Sequence, residues 1–89
     1  MKILVNVCYG GFNLKDEYWE EFFNRTEGIE NIREDKKLIA LVESGTDISG
    51  EYAKIVVVEI PDDATDYYIN EYDGNEEVIY VIDGKLRFA

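Results

Sequence analysis

DYYINEYDGNEEVIYVIDGKLRF, residues Asp66 to Phe88, contains two Asp-Gly dipeptides set between segments rich in β-branched and aromatic residues. Asp-Gly readily takes the two left-handed positions of a tight hairpin turn. The reading is therefore a strand from Asp66 to Tyr72, a turn at Asp73-Gly74 and a return strand from Glu76 to Ile82. A second turn at Asp83-Gly84 leads to a short last strand, Lys85 to Phe88. An antiparallel meander at one end of so short a chain commits the rest to covering it.

Upstream, Tyr52 to Ile60 reads as a strand with Val56, Val57 and Val58 at its centre, ended by Pro61. Lys2 to Cys8 is another short β-branched run, stopped by Gly10-Gly11. Between these lie two helical patterns. Leu14 to Asn24 sets Leu14, Tyr18, Trp19, Phe22 and Phe23 at helical spacing, with Asn13 as the N-cap and acidic residues early. After a loose stretch from Arg25 to Arg33 containing Gly28, a second helix runs from about Glu34 to Ser44, with Gly45 as its stop. The order is β-α-α-β-β-β-β. It predicts an α+β fold, a small, mainly antiparallel sheet with two helices packed on one face, in a single domain over residues 1–89.

Composition narrows the function. The chain carries 20 acidic and 9 basic residues, a formal charge of −11. A field of that sign repels nucleic acid and anionic membranes, so direct nucleic-acid binding is not expected. The same field suits a protein that imitates DNA and occupies a basic groove, although acidity also simply keeps proteins soluble. No apolar stretch approaches the length of a membrane span, and the single cysteine, Cys8, fits a reducing compartment. A cytoplasmic protein is the expectation.

Catalysis finds little to work with. There is no histidine, so neither Cys8 nor Ser44 and Ser49 has the usual activating base. Asp62, Asp63 and Asp66 do not follow a calcium-loop order, and zinc ligands are nearly absent. No catalytic residue, metal site or cofactor is expected. The turn Cys8-Tyr9-Gly10-Gly11-Phe12 is a candidate anion cradle, because glycines allow close backbone approach and a helix start offers free N–H groups. The plainer reading is a tight strand-to-helix turn that needs positive φ. In so acidic a chain, Arg25, Arg33 and Arg87 stand out as phosphate-binding forks or as partners of neighbouring carboxylates. Tyr68, Tyr72 and Tyr80 are expected on a solvated sheet face, suited to stacking on a base or to a protein interface.

Four stretches together resemble a group of short bacteriophage and prophage proteins: Cys8 to Phe12, Arg33-Glu34-Asp35 running into Leu38 to Glu43, Lys54 to Asp63, and Tyr67 to Lys85. The chain also resembles the phage sponge proteins that antagonise the Thoeris defence system. The resemblance implies a homo-oligomer in the bacterial host cytoplasm that sequesters a cyclic ADP-ribose-type immune nucleotide without degrading it. It implies a ligand site from Tyr9, Gly10, Gly11 and Phe12, with Arg33 and Arg87 as phosphate ligands. The chain departs from the group in being shorter before Arg33 and in ending Leu86-Arg87-Phe88-Ala89. The other function in play is an acidic DNA mimic, an anti-CRISPR or anti-nuclease inhibitor that binds a basic bacterial defence protein.

Overall fold

The computed structural model describes residues 1–26 and 30–89; Gly28 lies outside the described residues. The elements follow the expected order: β1 (Lys2–Asn6), α1 (Asp16–Thr26), a 3-10 turn (Ile32–Glu34), α2 (Lys36–Glu43), β2 (Ile55–Glu59), β3 (Asp66–Tyr72), β4 (Asn75–Ile82) and β5 (Lys85–Phe88). The fold is α+β. Its strands divide into a two-stranded ribbon, β1-β2, and a three-stranded meander, β3-β4-β5, both antiparallel.

The ribbon is the middle layer. Alternation along β1 turns Leu4 to one side and Ile3 and Val5 to the other, and all three are buried. Leu4 and Ile55 pack with Leu14, Phe22, Leu38, Ile39 and Ile48 beneath the two helices. Ile3 and Val5 pack with Ile60 and Val78, flanked by Tyr67, Ile69 and Tyr80 of the meander. Burial on both faces explains why β1 reads as an unbroken apolar run.

The hairpins are as the sequence predicts. Asp73 and Gly74 have φ of 52° and 87°, and Asp83 and Gly84 have 51° and 72°. Two successive left-handed residues match the twist of the strands they join.

The helix starts differ from expectation. Leu14 is drawn into the core in an extended pairing with Ser49, so α1 begins only at Asp16. Asn13 is therefore not the N-cap: its side-chain oxygen accepts from Trp19 Nε1 at 3.3 Å and its carbonyl accepts from Gly50 N at 2.9 Å. Phe23 is half-exposed rather than core, stacked on Trp19 at 5.9 Å. The second helix begins two residues late because Asp35 caps it. The Asp35 carboxylate accepts from Leu38 N at 3.0 Å and from both Arg25 terminal nitrogens at 2.8 and 3.0 Å. Tyr80 does not lie on the solvated face; it sits opposite Tyr67 on the inner face, against the ribbon.

Burial pushes the Asp35 carboxyl up, but the Arg25 fork and the Leu38 N–H outweigh it and hold the group below the usual aspartate range. A depressed carboxyl contributes stability above the unfolded value of about 3.9 and loses it as pH falls through the folded value. Asp35→Ala is expected to cost about 2 kcal/mol at neutral pH. In urea unfolding, the difference from wild type should shrink below about pH 4, as the unfolded chain takes up the proton first and the folded carboxyl, held lower, follows. A constant difference down to pH 2 would count against the cap and ion pair as its source.

Candidate functional site

The glycine turn and the first hairpin turn meet. Asn6, at the end of β1 and fully buried, holds them together. Its amide nitrogen donates to Cys8 O and, at 2.7 Å, to Gly74 O. Its side-chain oxygen accepts from Lys54 N at 2.8 Å and Cys8 N at 3.3 Å. All four hydrogen-bonding positions of one buried amide are thereby used. The approach is close: a β-carbon on Gly74 would lie 2.0 Å from Tyr9 O, and one on Gly10 would lie 2.1 Å from Tyr52 O.

Beside this joint, Arg33 grips Glu76. Arg33 Nη1 and Nη2 donate to Glu76 Oε1 and Oε2 at 2.8 and 2.7 Å, with side chains only 19% and 6% exposed. Arg33 Nη1 also donates to Leu4 O at 3.1 Å, and Glu76 Oε1 accepts from Asn6 N at 2.8 Å. These two backbone groups belong to the β1 edge that faces away from β2. The guanidinium lies 4.2 Å from the centroid of the Phe12 ring, which itself meets Trp19 edge-on. Nearby, Tyr67 Oη donates to Glu34 Oε2 at 2.6 Å, and burial followed by that carboxylate pushes the Tyr67 hydroxyl up to about 12.

A cleft of about 550 Å³ opens on the outer side of the joint. The glycine turn contributes Val7, Cys8 and Tyr9, and the hairpin contributes Asn70, Tyr72, Asp73, Asn75, Glu76 and Glu77. Its chemistry is one-sided: among the described residues the lining holds three carboxylates, two amides, two tyrosines and a thiol, and no basic side chain. Tyr9 and Tyr72 are 69% and 84% exposed, so the aromatic rim is open to solvent. Tyr9 leans on Tyr52 at 6.2 Å, and Glu77 accepts from the Asn70 amide at 2.8 Å.

The expected site residues do not converge on one pocket. Tyr9 lines the cleft, but Gly10, Gly11 and Phe12 do not. Gly10 packs on Tyr52, Gly11 supplies a left-handed backbone at φ 84°, and Phe12 underlies Arg33. The turn opens into no helix start, because α1 begins at Asp16. Arg33 is engaged by Glu76, while Arg87 lies on β5 across from Tyr80. The cleft's own residues, Tyr72, Asp73 and Glu77, read in the sequence as turn and strand; nothing local marks them as neighbours of Tyr9. Asp62, one of the three clustered aspartates, accepts from the Met1 amine at 2.6 Å. Among the described residues, no group of three or more Cys, Asp or Glu side chains is placed to hold a metal, and no helix is long and apolar enough to cross a membrane. Comparison with known proteins finds no matching family model, no matching curated protein and no matching solved structure.

Gly74 and Gly84 both have positive φ, but only Gly74 is closely approached, since the space around Gly84 is open. Gly84→Ala should cost about 1 kcal/mol, the left-handed penalty alone. Gly74→Ala should cost upwards of about 2 kcal/mol and shift the Tyr9 and Cys8 amide resonances. Equal losses in urea unfolding would contradict the close joint.

Proposed function

We propose that this chain acts by binding, without chemistry, and that it receives basic side chains of a partner protein in the cleft between the glycine turn and the first hairpin. The lining of that cleft carries the reading. Carboxylates at Asp73 and Glu77 and open aromatic rings at Tyr9 and Tyr72 complement a cation, through charge-assisted hydrogen bonds and contact with the ring faces. An anion entering the same space would meet repulsion and find no fork to hold it. A net charge of −11 adds long-range attraction for a basic partner and speeds encounter. Exposed tyrosines are among the side chains that most often dominate protein interfaces.

The resemblance to phage proteins directs the search for the partner to basic bacterial defence proteins, whose nucleic-acid groove an acidic surface would occupy. Sequestration of a cyclic ADP-ribose-type nucleotide is the reading supported by the resemblance alone. In this geometry its two arginines are apart within the chain and one is engaged.

Titration calorimetry with a short oligo-arginine peptide tests the cleft, with ADP-ribose as the second ligand. The peptide should bind, more weakly as salt rises. The variant Asp73→Asn, Glu77→Gln should lose about tenfold or more in affinity, roughly 1.4 kcal/mol. The equally discharged variant Asp16→Asn, Glu17→Gln on α1 should change little. Alkylation of Cys8 should slow when peptide is bound. Equal losses in both variants would reduce the effect to unspecific attraction, and tight retention of ADP-ribose with no peptide binding would favour nucleotide sequestration.

A further inference from the structure

The meander has a second face that none of the described residues covers. Inner positions Tyr67, Ile69, Val78 and Tyr80 pack on the ribbon, so alternation turns Tyr68, Ile79, Val81, Leu86 and Phe88 outward. Register sets them side by side: Tyr68, Ile79 and Phe88 form one row across the three strands, and Val81 and Leu86 form the next. Tyr68, Leu86 and Phe88 are 53%, 66% and 68% exposed. From the size of these side chains the bare apolar area is on the order of 400 Å², the range in which a patch marks a contact surface.

We infer that this face is where two copies of the chain meet, sheet against sheet. Charge selects the occupant. A basic partner is drawn to carboxylates, and here the two apolar rows include only Asp66, at one corner. The adjoining strand β5 carries Lys85 and Arg87 and no acid. Two identical chains of −11 repel, and on this face the carboxylates are confined to Asp66 at one corner and Glu77 beyond the first row, opposite Asn70. Area agrees: two such patches bury on the order of 800 Å² of apolar surface, and the Tyr68 hydroxyl and Asp66 at the edge of the rows bring the total to about 1,000 Å², the lower bound for a specific interface, with the cleft left outside it.

Edge pairing is the other way for two copies to join, and charge opposes it. Directly opposed residues share a face, so Leu86 must pair with Leu86 or Phe88 of the second copy. The first register sets Lys85 against Arg87, and the second sets Arg87 against Arg87, and like charges directly opposite destabilise a pair. Face-to-face packing, with the two sheets about 10 Å apart, leaves those cations outside the contact.

Sedimentation equilibrium across salt concentrations tests this. The wild-type chain should dimerise, and the dimer should tighten as salt rises, because screening weakens the repulsion. That slope is opposite to the one expected for peptide in the cleft, so the two readings fail separately. Leu86→Glu and Phe88→Glu should each weaken the dimer by at least tenfold while keeping the far-ultraviolet circular dichroism of wild type. Should either variant misfold, a soluble paramagnetic agent serves on the unaltered chain: Ile79 and Val81 methyls should gain protection as protein concentration rises. A wild type that stays monomeric at high salt and high concentration, a dimer unaffected by the substitutions, or methyls whose protection ignores concentration would overturn the inference.

Discussion

Everything else in this fold depends on how the open edge of β1 is closed. An edge strand leaves backbone groups unpaired, and burying them without partners is costly. Among the described residues no third strand closes the edge. The Arg33–Glu76 pair does so instead, donating to Leu4 O and accepting from Asn6 N while its two forks face each other. Arg33 comes from the 3-10 turn before α2 and Glu76 from the start of β4, so one ion pair joins the helical layer, the ribbon and the meander. Desolvating two charges opposes folding, and only a bidentate geometry with every further bond made offsets it.

Asn6 works beside it in the same way. Its amide ties the glycine turn to the hairpin turn, and residues of both turns line the cleft. Site and scaffold therefore share residues: Glu76 lines the cleft on one side and holds Arg33 on the other.

Sequence reasoning reached what is local. Asp-Gly turns, the extent of the meander strands and the stop at Gly45 all follow from backbone preferences over a few residues, and they hold, whereas the face of Tyr80 depends on register across the hairpin and does not. It missed what is distant. Asn6 sits within an apolar run and looks like an ordinary strand residue; its four partners span the chain from Cys8 to Gly74. Arg33 and Glu76 are 43 residues apart, with nothing between them to announce the pairing. The late start of α1 has the same origin, because the helical spacing that includes Leu14 yields to its extended pairing with Ser49. The glycine turn was legible as a close approach, but what approaches it is another turn of the same chain.

The central claim, that Arg33 is a strut of the fold and not a free anion ligand, is tested most directly by a double-mutant cycle on Arg33 and Glu76, followed by urea unfolding. Arg33→Ala and Glu76→Ala should each cost about 3–5 kcal/mol, because each leaves a buried charge without its partner. The double variant should cost less than the sum, with a coupling of at least 2 kcal/mol, roughly the upper range for contacting residues. Loss of a cooperative transition in either single variant is the same result at its limit. Arg33→Ala within about 0.5 kcal/mol of wild type, the range of an ordinary surface substitution, would contradict the account and return Arg33 to the list of ligand-binding candidates.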